Sequence, residues 1–295
     1  MSDVTKIELI VRNRVYDLTT EYTYLGNDGL ALPPVRRLEE AGPLQDGTTD
    51  VGFRLEPRII KLLFLLAGND LSDYYSKRRR LLQQFRPREG ASKLRFTLPD
   101  GAVRQIDVVY AGELTLPSND KTGLLHKVAV SLKAADPVFY DPTGKNVNFQ
   151  VSVSGGNFDV PLEVPLYVGT SLLDQVTQVE YAGDWKTSPL ITVIGPVDNL
   201  LIENQTTGDK LDFTGYSLAA GQRMVIDTSY ANASVVGGNG NSLLQYLSDD
   251  SDLTTFALLP DPDALDGVND IRVSGTSATA QTQVYLSYNE RFLGI

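Results

Sequence analysis

The run Ala134-Ala135-Asp136-Pro137-Val138-Phe139-Tyr140-Asp141-Pro142 divides this chain into two unlike parts. Residues 1–150 hold 21 Lys+Arg and 19 Asp+Glu, a balance of +2, whereas residues 151–295 hold 5 and 18, a balance of −13. Two X-Pro steps beside a charge break of that size mark a boundary, because proline fixes φ and ends ladder pairing. A chain of 295 residues also exceeds one ordinary hydrophobic core. The expected division is a first domain over 1–140, a linker over 141–160 and a second domain over 161–295.

Both parts read as mainly β. In the first, Ile7, Leu9 and Val11 alternate with their neighbours, and Tyr16 and Leu18 continue as a second strand after a turn near Asn13. Ala102–Tyr110 and Leu124–Lys133 alternate in the same way, the pattern of strands with one face in a core. Turn residues separate them at Gly26–Gly29, Asp46-Gly47, Pro99–Gly101 and Ser118–Asp120. One helix is expected, capped by Asp70 or Ser72 and stopped by Pro87, with Tyr74, Arg78, Leu81, Leu82 and Phe85 on one stripe. Ile59–Leu66 fits a buried strand better than a helix, being short and uncapped. In the second part, strands are expected at 161–169, 172–181, 190–194, 200–204, 222–228, 270–274 and 283–289, the spacing of a jelly-roll sandwich. Leu243–Ser248 fits a helical turn or a strand.

Little in the sequence can carry catalysis. There is no cysteine, which excludes disulfides, thiolate metal sites and thiol nucleophiles. The one histidine, His126, has the parity of a core position, and no hydrolase, zinc-protease or P-loop pattern occurs. Gly237–Asn241 lacks the Lys-Ser/Thr of a phosphate loop and reads as a hairpin turn. Asp249-Asp250-Ser251-Asp252 lacks the glycine and distal glutamate of an EF-hand and reads as a solvated loop. No enzyme activity, cofactor or metal is expected. The start, MSDVTKIELIVRNR, has no signal-peptide pattern, so synthesis and folding in a cytoplasm are expected. Overall acidity argues against nucleic-acid phosphates as the main partner.

Two features have a functional reading beside the plain one. The basic run Lys77–Arg80 lies on the helix, where Arg78, Arg79 and Arg80 are candidates for a subunit contact or simply a solvated face. Trp185, in a loop between strands, is a candidate glycan contact or a cover for the sandwich rim. A host-surface carbohydrate-binding protein is therefore the alternative to a structural component.

Several patches resemble a known family. They are Ser76–Pro87, Leu94-Arg95-Phe96 with Pro99–Arg104, Ala135-Asp136-Pro137 with Phe139-Tyr140, and Ile194–Asn199. Ile202-Glu203-Asn204 with Thr206-Thr207-Gly208, Leu218–Gly221 leading to Ile226–Thr228, and Arg291–Ile295 complete the set. In this order and spacing the chain resembles the distal tail proteins of long-tailed, non-contractile bacteriophages, the siphovirus-type tail components. It departs from them around a late Leu-Pro turn, before which the family often has a Trp or large aromatic: here the segment reads Thr254-Thr255-Phe256-Ala257-Leu258-Leu259-Pro260, and the following loop Asp261–Asp266 is long and acidic. The resemblance implies a tail-tube-like β domain with one helix, followed by a galectin-like jelly-roll sandwich. It also implies a structural role in the virion tail. Such proteins form a ring, usually of six copies, that joins the tail tube to the tail tip or baseplate used for host adsorption. Implied partners are further copies of itself, the tail tube protein, the tail tip hub or tail-associated protein, the tape-measure protein and a receptor-binding protein. DNA would pass through the channel without specific binding.

Overall fold

The computed structural model describes residues 4–117, 120–150 and 172–295. The chain forms two compact units, one of residues up to Pro142 together with Phe292–Ile295, the other Thr143–Arg291.

The first unit contains β1 (Lys6–Val11), β2 (Arg14–Asp17), α1 (Leu18–Glu21), β3 (Thr23–Asp28), β4 (Val35–Glu40), β5 (Thr49–Leu55), β6 (Arg58–Ala67), α2 (Leu71–Gln84), β7 (Ser92–Thr97), β8 (Val103–Thr115), β9 (Lys121–Thr122), β10 (Leu125–Ala134) and β11 (Phe139–Tyr140). Its main sheet runs in the order β2-β1-β7-β8-β10-β6-β3. β8 changes partner halfway, pairing with β7 over Val103–Val108 and with β10 from Val109 onward. One long strand thus carries the sheet around a corner. Alternate residues of β6, namely Ile60, Leu62, Phe64 and Leu66, are fully buried and meet Val128, Val130 and Leu132 of β10 in one core. Ile59–Leu66 is therefore a strand, as its length and missing caps predict.

α2 starts at Asp70, whose carboxylate accepts from the Asp73 N–H at 2.8 Å, and lays Tyr74, Leu81 and Phe85 into that core. Leu82, expected on the same stripe, is exposed. Gln84 takes the inward place because its amide meets the Tyr22 hydroxyl at 3.0 Å and Glu21 at 2.6 Å. Two other expectations fail locally. Leu18 begins a helical turn rather than extending β2, since the Asp17 side chain accepts from the N–H groups of Thr19 and Thr20. Gly26–Asp28 belongs to β3, and only Gly29, with φ +85°, leaves strand geometry. A Cβ at Gly29 would collide with the Ile59 carbonyl, so the glycine serves close packing. The part of the expected 118–120 turn at residues 118 and 119 lies outside the described residues.

The second unit contains β12 (Lys145–Gln150), β13 (Leu173–Glu180), β14 (Leu190–Ile194), β15 (Val197–Asn204), β16 (Lys210–Leu218), β17 (Arg223–Asp227), β18 (Ser234–Gly237), β19 (Val268–Thr276) and β20 (Gln283–Tyr288). A five-stranded sheet, β12-β20-β14-β17-β18, and a four-stranded sheet, β13-β19-β15-β16, share one apolar core. Every pairing is antiparallel, giving the expected galectin-like β-sandwich. Residues 145–150, expected within the linker, are a strand because they complete the sheet edge beside β20. The expected strand at 161–169 lies outside the described residues. Leu243–Ser248 takes the helical alternative, a single turn over Leu244–Tyr246.

The last strand, β21 (Arg291–Phe292), pairs with β11. Residues 292–295, expected within the second domain, are thus part of the first unit.

Candidate self-association surface

β4 and β5 form a two-stranded sheet to which no other described strand adds. A lone hairpin is marginal in water, since it has no second layer to bury its side chains. This one is further loaded with like charges placed directly opposite each other. Arg36 faces Arg54 near its base, and Glu39 faces Asp50 near its tip. Such pairs oppose strand pairing. Its apolar residues are not covered either: Val35 is 49% exposed, Val51 52%, Phe53 48% and Leu44, at the turn, 100%. Within the hairpin, Arg37 bonds Asp50 at 2.9 Å and its guanidinium lies 5.5 Å from the Phe53 ring centre. A segment so poorly self-sufficient has the character of an arm that other surfaces complete.

The basic run of α2 divides. Lys77 is used locally, 3.1 Å from Asp73 and donating to the Ala67 carbonyl at 2.9 Å. Arg78 is half-buried, and its Nε has no hydrogen-bond partner among the described residues. Arg79 is exposed, and Arg80 lies 3.6 Å from Glu21 while remaining mostly in solvent. Arg79 and Arg80 therefore share an outward helix face, and Arg78 is tucked beside it.

Sequence reasoning missed the most buried charge among the described residues, Arg58, which is 1% exposed. Its guanidinium donates to the carbonyls of Gly29 (3.2 Å), Ala31 (3.0 Å) and Leu293 (2.6 Å), and sits 4.6 Å from the Phe139 ring centre. Desolvation holds its pKa down to about 10, so it stays protonated at neutral pH. Arg104 stacks 3.5 Å from the Phe292 ring centre, and the Ile295 N–H donates to the Leu30 carbonyl. Two arginines thus bind the final residues into the first unit. Only the Arg at the head of an apolar strand hinted at this.

The other candidates are structural in their surroundings. His126 is buried, with Nδ1 2.8 Å from the Tyr74 hydroxyl and Nε2 2.9 Å from the Pro117 carbonyl. Trp185 is half-buried, and its backbone N–H and carbonyl bond Arg291 and the Tyr181 hydroxyl. Gly237–Asn241 is a turn closed by the Val236–Ser242 bridge. In the acidic loop, the Asp252 carboxylate accepts from the Lys210 N–H at 3.1 Å, tying the loop to β16. Among the described residues no group of three or more His, Asp or Glu side chains is placed to hold a metal ion.

Comparison with known proteins agrees with the two-unit fold. Residues 20–133 match the family model "Phage tail protein RIFT-related domain", and residues 182–292 match "Siphovirus-type tail component, C-terminal domain". No curated protein sequence matches the chain. Among solved structures, the distal tail protein (Dit) of phage SPP1, described as a paradigm of the hub adsorption apparatus in phages infecting Gram-positive hosts, is similar with a TM-score of 0.67 and 15% identity. That match covers 97% of this chain and 99% of the other. A chain of the activated baseplate of phage p2 is similar at a TM-score of 0.48 and 11% identity, over 96% of this chain and 97% of that one.

Proposed function

The chain belongs to the siphophage distal tail protein family, and from this premise we propose that it forms a ring-shaped hub at the far end of the tail, joining the tail tube to the tip or baseplate. The role is structural, and the protein resides in the virion tail. The observation that carries the ring is the β4–β5 hairpin, an uncovered arm with like charges opposed across its strands. A closed ring of identical subunits gives every arm the same receiving surface. The near balance of charge over residues 1–150 supports it too, because a strong excess of one sign would repel around the ring. Arg79 and Arg80, with Arg78 beside them, are a second proposed contact on the first unit. The tail tube protein, the tip hub or tail-associated protein, the tape-measure protein and a receptor-binding protein are the proposed neighbours, and DNA passes the channel without sequence-specific contact.

Replacing Leu38–Val51 by a short Gly-Ser turn tests the reading. Electron microscopy and native mass spectrometry of the wild-type chain should show rings with an open centre. The shortened chain should be monomeric with an unchanged far-UV circular dichroism spectrum. Wild-type protein that stays monomeric at every concentration would defeat the ring. Carbohydrate binding by the sandwich rests on Trp185 alone, and the structural reading expects no spot on a glycan array that depends on Trp185.

A further inference from the structure

Four arginines that are distant in sequence line one open groove of the first unit. Arg12 and Arg14 come from the β1–β2 hairpin, and Arg86 and Arg88 from the segment that leaves α2. The groove has a volume of about 710 Å³, and Tyr16 and Glu89 complete its polar wall. Among the described residues no carboxylate lies within ion-pair distance of any of the four. Arg88 donates to the carbonyls of Gln84 (2.7 Å) and Gln83 (2.6 Å), satisfying the C-terminal end of α2. Its pKa is lowered by burial first and then by the positive charges of Arg86 and Arg12. The guanidinium groups therefore repel one another in the isolated subunit. Arg12 also stands in the left-handed region, φ 54°, at a two-residue turn where Asn or Gly would be at ease. The turn does not need an arginine there, so its use lies in the charge it presents.

The same chain carries a segment of opposite character. From Leu38 to Val51 there are four acidic residues, Glu39, Glu40, Asp46 and Asp50, and no basic one. Asp50 is held by Arg37, and the Glu39 carboxylate accepts from the Thr48 hydroxyl. Glu40 and Asp46 flank the fully exposed Leu44, so the tip offers carboxylates around an apolar knob. The groove offers guanidinium groups beside Tyr16, Val11 and Pro87.

We propose that the arginine groove receives the acidic β4–β5 tip of a second copy of this chain, so that successive subunits engage head to tail. This rests on the ring reading and names the surface that receives the arm. A head-to-tail contact uses two different patches, so it closes only through rotation, as a ring requires. Charge pairs at such a contact set register and make assembly sensitive to salt.

The test uses two full-length variants. One reverses the groove, Arg12→Glu with Arg86→Glu, and the other reverses the tip, Glu40→Arg with Asp46→Arg. Sedimentation velocity at low salt should show each alone needing about tenfold more protein for half-assembly, or more. An equal mixture should recover wild-type assembly, because each variant then presents the complement of the other. Variants that assemble like wild type, or a mixture that stays impaired, would overturn the docking while leaving the ring intact. Wild-type protein that does not assemble would defeat both. A labelled 20-nucleotide duplex bound by wild type and released by the groove variant, with assembly unaffected, would assign the groove to nucleic acid instead.

Discussion

A chain ending at Arg291 should lose roughly 3–5 kcal/mol of stability in its first unit. The four missing residues remove the Leu293 carbonyl from Arg58, the Phe292 ring from Arg104 and the Ile295–Leu30 hydrogen bond. The greatest part of the loss comes from Arg58. Among the described residues no carboxylate lies within ion-pair distance of it, and it depends on three carbonyls and the Phe139 face to stay buried while charged. Taking away its shortest hydrogen bond leaves a guanidinium that must either drag water inward or leave the core. Urea unfolding followed by circular dichroism would report the first unit. The fluorescence of Trp185, the only Trp, would report the second and should move little. An unshifted first-unit transition in the shortened chain would refute this account of Arg58. The choice of fragment matters when asking whether the first unit alone forms the ring. A fragment ending near residue 140 is the wrong one to test, and a chain joining 1–142 to 292–295 is the right one.

The second large effect is expected in the sandwich. Asn204 and Asn269 are completely buried. The Asn269 amide accepts from the Leu259 N–H and donates to the Leu259 carbonyl, both at 2.9 Å, and also reaches the Gly267 carbonyl. The Asn204 side chain donates to the Ala257 carbonyl at 2.8 Å and accepts from the Thr206 N–H at 3.1 Å. Between them these amides satisfy the Ala257 carbonyl and both Leu259 backbone groups, on either side of the Thr187–Leu258 bridge, and the Thr206 N–H in the turn after β15. Asn269→Leu should cost about 2–4 kcal/mol, because it strands the Leu259 N–H and carbonyl, while the Gly267 carbonyl keeps the Tyr181 N–H. Asn204→Leu should cost somewhat less. The two side chains share a 3.4 Å contact, so the double variant should lose less than the sum. Trp185 fluorescence against urea gives all three midpoints. Fully additive losses, or none, would mean that the network is not the support described.

What the sequence made legible follows from what each element buries. β1, β6, β8, β10, β14 and β20 each put one face in a core, and their alternation marks them. α2 is visible through Asp70, its apolar stripe and Pro87. The β4–β5 hairpin buries almost nothing within the subunit, so it leaves no alternation, and only the Asp46-Gly47 turn hints at it. β16 was hidden by Gly215 and β18 by its four residues. The candidate surface was harder still. Arg78–Arg80 were readable as a helix face, but the groove joins residues 12–14 to residues 86–88, and no local pattern links them. Membership of residues 292–295 in the first unit is likewise a tertiary fact, invisible to any window of neighbouring residues.

That return of the chain end has a consequence for the order of events during synthesis. The first unit begins to be translated first, yet its closing strand arrives only after the whole of Thr143–Arg291 has been made. Until residues 292–295 leave the ribosome, β11 lacks its partner β21, and Arg58 has one hydrogen-bond acceptor fewer. The sandwich can close beforehand, since its described strands lie within Thr143–Arg291. A chain translated only as far as the sandwich thus has an unfinished first unit, whose arm and groove are fully supported only once residues 292–295 have followed. Residues 292–295 thus make completion of the first unit wait on synthesis of the whole sandwich.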